Sequence, residues 1–553
     1  MLKHVFGLAL ILCLSGASVS VPSAQPSPGG SVALGRIDFP TSGSAAAQPH
    51  FIKGVLLLHS FEFDDAAEAF AEARKLDPAF AMAYWGEALT HTHPLWRYRD
   101  RDAALKVLGA LAPTAEARQA KAPTAREKAY LRAVDALYTE ADNVAALRAY
   151  EQAMDRLARE FPKDDEAQTL HAVAILATNV ERRDFAVDMK AAAIVEDVFV
   201  RNPEHPGVLH YMIHAYDNPM HAPLGLRAAN RYAKIASGAA HALHMTSHIF
   251  LASGMWDDAV ASNEASWVAS AARVKAKSLG IDANGFHAYL WLAYAYLQQG
   301  RYADARQVID RTYAFARDSG SPRTALHYMF ARAAFMVETR RTDNLPPALD
   351  VKSVAPVGRA AELSAEGLLA VQREDGAKAE AILAKLREVA ATASGSEAHH
   401  AGAAPSAARA AAPATPATGM PISAADRAAI DIMTQQLAAL VTCLRGGETE
   451  ALAMMTKAAE AEDVMPYEFG PPVPVKPSRE LLGEMLLVMN KPADAQKAFA
   501  AALRRAPGRA LSLDGLAMAA EKNGDAAGAA DAKAALKANW HRADAGVQRP
   551  GTF

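Results

Sequence analysis

Apolar and polar positions alternate along most of the chain with the period of an amphipathic helix, and Gly, Pro, Asp or Asn interrupts them at short intervals. The stretch FIKGVLLLHSFEFDDAAEAFAEARKLDP, residues 51–78, shows the pattern clearly. It predicts two antiparallel helices with small residues at Gly54, Ala66 and Ala73 where they approach. Phe70 fills the gap between them and Pro78 ends the second helix. The order returns near the C-terminus in ELLGEMLLVMNKPADAQKAFAAALRRAP, through Leu482, Gly483, Ala495, Phe499, Ala502 and Pro507. It returns again at Gly524 and Ala529, at Tyr296, Gly300, Ala305 and Ile309, and at Phe250, Gly254 and Ala259. The spacing is that of a helix–turn–helix unit of about 34 residues.

These units resemble the tetratricopeptide repeat (TPR) family. The resemblance implies an all-α fold, an α-solenoid of antiparallel helix pairs wound as a right-handed superhelix around a concave groove. Such grooves usually hold peptides. The physics agrees with the architecture, because one helix pair cannot bury its apolar face and stacking neighbours does so.

Around this core the composition shifts. The N-terminus MLKHVFGLALILCLSGASVSVPSAQ has Lys3, an apolar run from Val5 to Leu14 and then small residues. It reads as a signal peptide over residues 1–24, with cleavage after Ser20 or Ala24. Export to the periplasm or secretion follows, with no membrane span after cleavage. A Pro/Gly/Ser-rich lead-in over 25–48 is expected to be flexible, followed by a repeat array over 49–390. Residues 391–421, rich in Ala and Pro and containing His399 and His400, read as a disordered linker. Further TPR-like helices are expected over 422–540, entered through the extended MPYEFGPPVPVKP. In that stretch Tyr467, Glu468 and Phe469 could fold over the groove or pack as a rigid connector.

With 51% hydrophobic and 7% aromatic residues the chain is Ala-rich, which favours helices. Lys and Arg number 58 against 61 Asp and Glu, so no basic face for nucleic acid is indicated. Cys13 would leave with the signal, and Cys443 alone can form no internal disulfide. No nucleophile elbow, phosphate loop, dinucleotide fingerprint or HExxH motif is present.

The distinctive chemistry is histidine. Seven of the 18 histidines lie in residues 205–248: His205, His210, His214, His221, His241, His244 and His248. The pattern predicts a helix from Pro206 to Tyr216, a second over 224–235, and a third from about Ala239 that carries HALHMTSHIF. At about 100° per residue, His210 and His214 share one face, with Asp217 near it, and His241, His244 and His248 fall within an arc of about 60°. The first and third helices of such a unit line the same side of a solenoid. Five imidazoles and one carboxylate therefore converge, either as ligands for zinc, copper or iron, or as a hydrogen-bonded polar core. His59, His91 and His287 are possible additions from other inner helices, whereas His171 and His327 read as structural. Glu62 and Asp217 are the candidate general bases. The paired motifs HYMIHAYDNP…HMTSHIF and PYEFGPP also resemble exported bacterial TPR proteins, a resemblance that brings no reaction with it.

The sequence thus supports an exported TPR-repeat protein with a His-rich metal site on its concave face, a metal-dependent hydrolase or oxidase. The alternatives are a scaffold that grips a peptide, protein or small molecule in its groove, and a metal carrier.

Overall fold

In a computed structural model the chain is described over residues 33–96, 98–179, 183–351, 353–395, 422–467 and 469–547. The expected signal peptide and most of the Ala/Pro stretch lie outside these residues. Twenty-four α-helices follow one another among them, and the one β-hairpin pairs Thr92–His93 with Tyr98–Arg99. The fold is an all-α, TPR-like solenoid of antiparallel helix pairs. None of these helices is long and apolar enough to cross a membrane.

Each unit is built as the small-residue pattern requires. Helix Gln48–His59 packs on Phe63–Leu76 through Gly54, where a Cβ would come within 2.7 Å of the Phe70 ring. Gly86 of the following helix lies still closer to the same ring, at 2.3 Å. Gly483 and Gly515 flank Phe499 in the same way, at 2.8 and 2.3 Å. One phenyl ring therefore pins three successive helices, and the absence of a side chain opposite it sets their spacing.

The two helices of a unit differ in burial. Outer helices such as Asn143–Glu160 and Pro492–Arg505 bury a single stripe. Inner helices are buried almost all round: every residue of Phe286–Gln298 is buried, and Pro322–Thr339 is nearly so. At these two helices the inner side is therefore covered. Residues 465–477, apart from Glu468, which lies outside the described residues, run across it. Gly470 makes this possible, because its φ is +91° and a Cβ there would meet the Trp291 ring at 2.3 Å.

The C-terminal units close onto the middle of the chain. Trp256 donates to the Gly508 carbonyl at 3.0 Å and Trp540 to that of Gln298 at 3.2 Å. Arg509, fully buried, donates to Glu480 and to the Tyr294 hydroxyl, and also pairs with Glu338. Lys476 lies between Glu480 and Glu484 in the same cluster.

Two expected connectors carry structure in their described parts. In the lead-in, Phe39 is 1% exposed and meets Phe51 and Trp85 edge-on and Tyr130 at a tilt. Beyond 390, the helix Gly376–Gly395 continues to its end, and residues 396–421 lie outside the described set. Gly367 and Leu437, on opposite sides of that stretch, pack directly together, so the later helices extend the same array.

Candidate metal centre

His210 and His214 sit on helix Pro206–Tyr216, and His241, His244 and His248 on Ala240–Ala252. The helix between them is Ala222–Ile235. His205 starts the first helix, its Nδ1 accepting from the Val208 amide at 3.3 Å, and Pro206 fits the first helical position. The third helix starts on the side chain of Glu62, which accepts from the His241 amide at 3.0 Å. His287 enters from the inner helix Phe286–Gln298.

These residues form two three-nitrogen sets. His210, His214 and His241 each offer a nitrogen within 4.8 Å of the others, as do His244, His248 and His287. The sets are neighbours: the His214 and His248 ring centres are 5.9 Å apart, and those of His241 and His244 are 6.2 Å apart.

Side-chain partners decide which nitrogen of each ring is available. Asn263 donates its amide to the Ala259 carbonyl at 2.8 Å, leaving its oxygen to accept from His244 Nδ1 at 2.7 Å. Asp217 Oδ2 accepts from His248 Nδ1 at 2.5 Å. With both Nδ1 hydrogens directed at oxygens, both Nε2 atoms carry lone pairs, and they face each other at 3.2 Å. His210 Nδ1 likewise donates to the His59 carbonyl at 2.6 Å, and its Nε2 lies 3.1 Å from His214 Nε2. Two imidazole nitrogens each about 2.0–2.1 Å from one tetrahedral ion would be about 3.3 Å apart. Buried atoms of the remaining rings, His214 Nδ1, His241 Nε2 and His287 Nδ1, have no hydrogen-bond partner.

Electrostatics favours the neutral form at His210, His214, His241, His244 and His287. Burial, reinforced by the neighbouring His248, pushes both His210 and His244 down to about 3. Burial and the adjacent imidazoles also hold His214, His241 and His287 well below the usual histidine range. Neutral imidazole is the ligating form.

An aromatic shell surrounds the sets. Phe61 stands 4.4 Å from His210 and 5.5 Å from His241 between ring centres, and holds a left-handed φ of 54°. A phenylalanine in that region is strained by on the order of 1–3 kcal/mol, so its surroundings over-determine it. Trp291 lies 4.3 Å from His248, and Phe469 lies 5.7 Å from the same ring. Arg183 stacks 3.9 Å above Phe469 and donates to the Asp217 carbonyl at 2.6 Å. A cavity of about 90 Å³ opens beside His248 and Asp217, bounded by Trp256, Tyr294, Tyr467 and Arg505 among others.

The other sequence candidates have different places. Asp217 belongs to neither three-residue set and instead orients His248. Glu62 is held at the start of the third helix, where burial pushes it up and the His241 and Ala240 amides oppose that. The His59 ring accepts from the Tyr211 hydroxyl at 3.1 Å and donates Nε2–H to Glu166 at 2.7 Å, and His205 donates to the other Glu166 oxygen at 3.0 Å. Burial would raise Glu166, but His205 and His59 outweigh it and hold the carboxyl below its ordinary range. That trio also lies within ligating distance, yet its ring nitrogens all have protein partners. His91 is half-buried and joins none of the three groups found among the described residues. Sequence reasoning did not single out Asn263, Arg183 or Glu166. Nothing in the local sequence ASNEAS distinguishes Asn263 from a polar residue facing solvent.

No family model matches the chain, and no curated protein matches it in sequence. Solved structures include similar repeat arrays. The APC/C hetero-tetramer Cut9–Hcn1 is 13% identical over 87% of this chain and 78% of that one, with a TM-score of 0.33. Yeast Tom70 is 11% identical over 88% and 95%, at 0.31. The TPR domain of P58(IPK) is 12% identical over 87% and 99%, at 0.23. At these values the likeness carries no argument about ligand or partner.

Proposed function

We propose that this TPR-like protein binds two transition-metal ions, one in each three-histidine set, and uses them in catalysis as a hydrolase or oxidase. The reading rests on one observation above the rest: His244 Nε2 and His248 Nε2 face each other at 3.2 Å with both Nδ1 hydrogens engaged elsewhere. Only a cation relieves that opposition. Three nitrogens per ion leave a coordination position open, as in catalytic sites, and the adjacent cavity offers a place for a small substrate. Asp217 and Asn263 act by orienting the ligating rings.

A second reading uses a proton as the cation. His248 would then be an imidazolium paired with Asp217, and the histidines a polar core in a scaffold that binds peptide or protein partners. Elemental analysis of the purified chain separates the two. The metal reading expects two equivalents of zinc, copper or iron, and a melting temperature that falls on chelation. Absence of stoichiometric metal, with unchanged melting after chelation, would sink it.

The N-terminal apolar run supports export to the periplasm or secretion. N-terminal sequencing of mature protein should begin after Ser20 or Ala24, and recovery of the intact N-terminus from the cytoplasm would contradict this.

A further inference from the structure

Taking the two-ion reading as its basis, we infer that the ions are copper, held as a copper(I) pair that binds dioxygen between the two histidine sets.

The donor atoms and the local charge carry this. All six ligands are neutral nitrogens, with no carboxylate or thiolate in either set. Imidazole suits copper, zinc, iron and nickel, whereas magnesium, calcium and manganese favour carboxylate, carbonyl and water, and of the first group copper alone is stable as a monovalent ion. The shell of Phe61, Trp96, Trp291 and Phe469 is apolar, and His210, His244 and His248 are 0%, 2% and 5% exposed. Charge in such a place must be balanced nearby. The carboxylates at hand are Asp217, on His248, Glu62, on the His241 amide, and the buried Asp188, which interacts with Arg183 and Asp217. Arg183, against Asp217 and Phe469, offsets one of them. Two zinc(II) ions would bring four positive charges into this shell, and two copper(I) ions bring half as many.

Dioxygen binding leaves that balance intact. Each copper(I) loses one electron, the O–O double bond becomes the single bond of peroxide, and two copper(II) ions hold one peroxide dianion. No proton is needed and the net charge of the cluster is unchanged, so a site able to hold the reduced pair also tolerates the oxidised one. The sets are neighbours, with ring centres 5.9 Å apart between His214 and His248, close enough for one dioxygen to reach an ion in each. The cavity beside His248, lined also by Tyr467, Gly470, Pro472 and Val473, gives a diatomic molecule a route to it.

The test uses the full chain, stripped of metal and loaded anaerobically with copper(I) or, separately, zinc(II). Two copper(I) per chain are expected. On admitting oxygen, uptake should be one O2 per two copper, with a near-ultraviolet peroxide-to-copper absorption and no paramagnetic copper(II) signal, because the two spins couple. His214→Ala and His287→Ala, in different sets, should each retain one copper and lose oxygen uptake. Two zinc(II) retained where copper(I) is not would overturn the copper assignment while leaving the two-ion reading standing. Two copper(I) without oxygen uptake would overturn the dioxygen part. Failure of both metals to bind would remove the two-ion reading itself. Should either variant not fold, the wild-type copper and oxygen stoichiometries alone decide.

Discussion

Replacing Asp217 with Asn separates the metal and proton readings in one experiment. Asp217 Oδ2 accepts from His248 Nδ1 at 2.5 Å and both groups are about 5% exposed. If His248 is a neutral ligand, the amide oxygen of Asn can still accept that hydrogen. The loss is then one of orientation and basicity, about 10–100-fold in metal affinity. With metal at one hundred times its Kd, the wild type gains about 2.7 kcal/mol of stability, and a variant binding 100-fold more weakly gains about 0.4 kcal/mol. The metal-free forms should melt nearly together. If His248 is instead an imidazolium, Asp217→Asn leaves a buried charge without its partner and destabilises the metal-free protein by about 3–5 kcal/mol. Calorimetric titration, with thermal melts in the presence and absence of metal, reads both quantities. Wild-type metal affinity in Asp217→Asn, or a loss of several kcal/mol in the stability of the metal-free protein, would refute the ligand argument.

Gly470→Ala should lift the backbone at residue 470 from Trp291, since the added Cβ would sit 2.3 Å from the indole at a φ of +91°. A changed tryptophan emission and faster metal loss to a chelator are expected, and unchanged rates would show that the segment does not cover the site. Glu480→Gln should destabilise the fold by about 3–5 kcal/mol, because it leaves Arg509 and Lys476 buried with one fewer carboxylate. Burial pushes Glu480 up, but Arg509 and Lys476 outweigh it and hold the carboxyl down to about 2. A depressed carboxyl contributes stability that is fully present above its ordinary value and lost as pH falls through its folded value. Acid melts of the wild type should therefore weaken between about pH 4.5 and about pH 2, and the Gln variant should lack that component. Phe61→Ala should cost about 3–5 kcal/mol in melting, less whatever left-handed strain it relieves, and should weaken binding at the His210 set most.

Much of the fold was legible because its determinants are local. The Gly54–Phe70 and Gly483–Phe499 contacts lie within one helix pair, so a spacing in the sequence is a spacing in space. The helix expected from Pro206 ends at Tyr216 as anticipated, and the next two begin at Ala222 and Ala240. The helical period also brought His210 with His214, and His244 with His248, onto shared faces.

Only the tertiary structure decided the rest. The division of the imidazoles into two sets, with His241 joining the first and His287 the second, depends on how three inner helices pack, which no single helix records. The available nitrogen on each ring is set by partners at a distance: the His59 carbonyl 151 residues before His210, and Asp217 31 residues before His248. The closure over the site rests on similar contacts, such as Arg509 with Tyr294 and Gly470 with Trp291. Helix period and small-residue spacing are properties of neighbouring residues and can be read in order along the chain. Burial, ring tautomer and the meeting of two lone pairs belong to side chains that packing brings together, and they exist only once the array has closed.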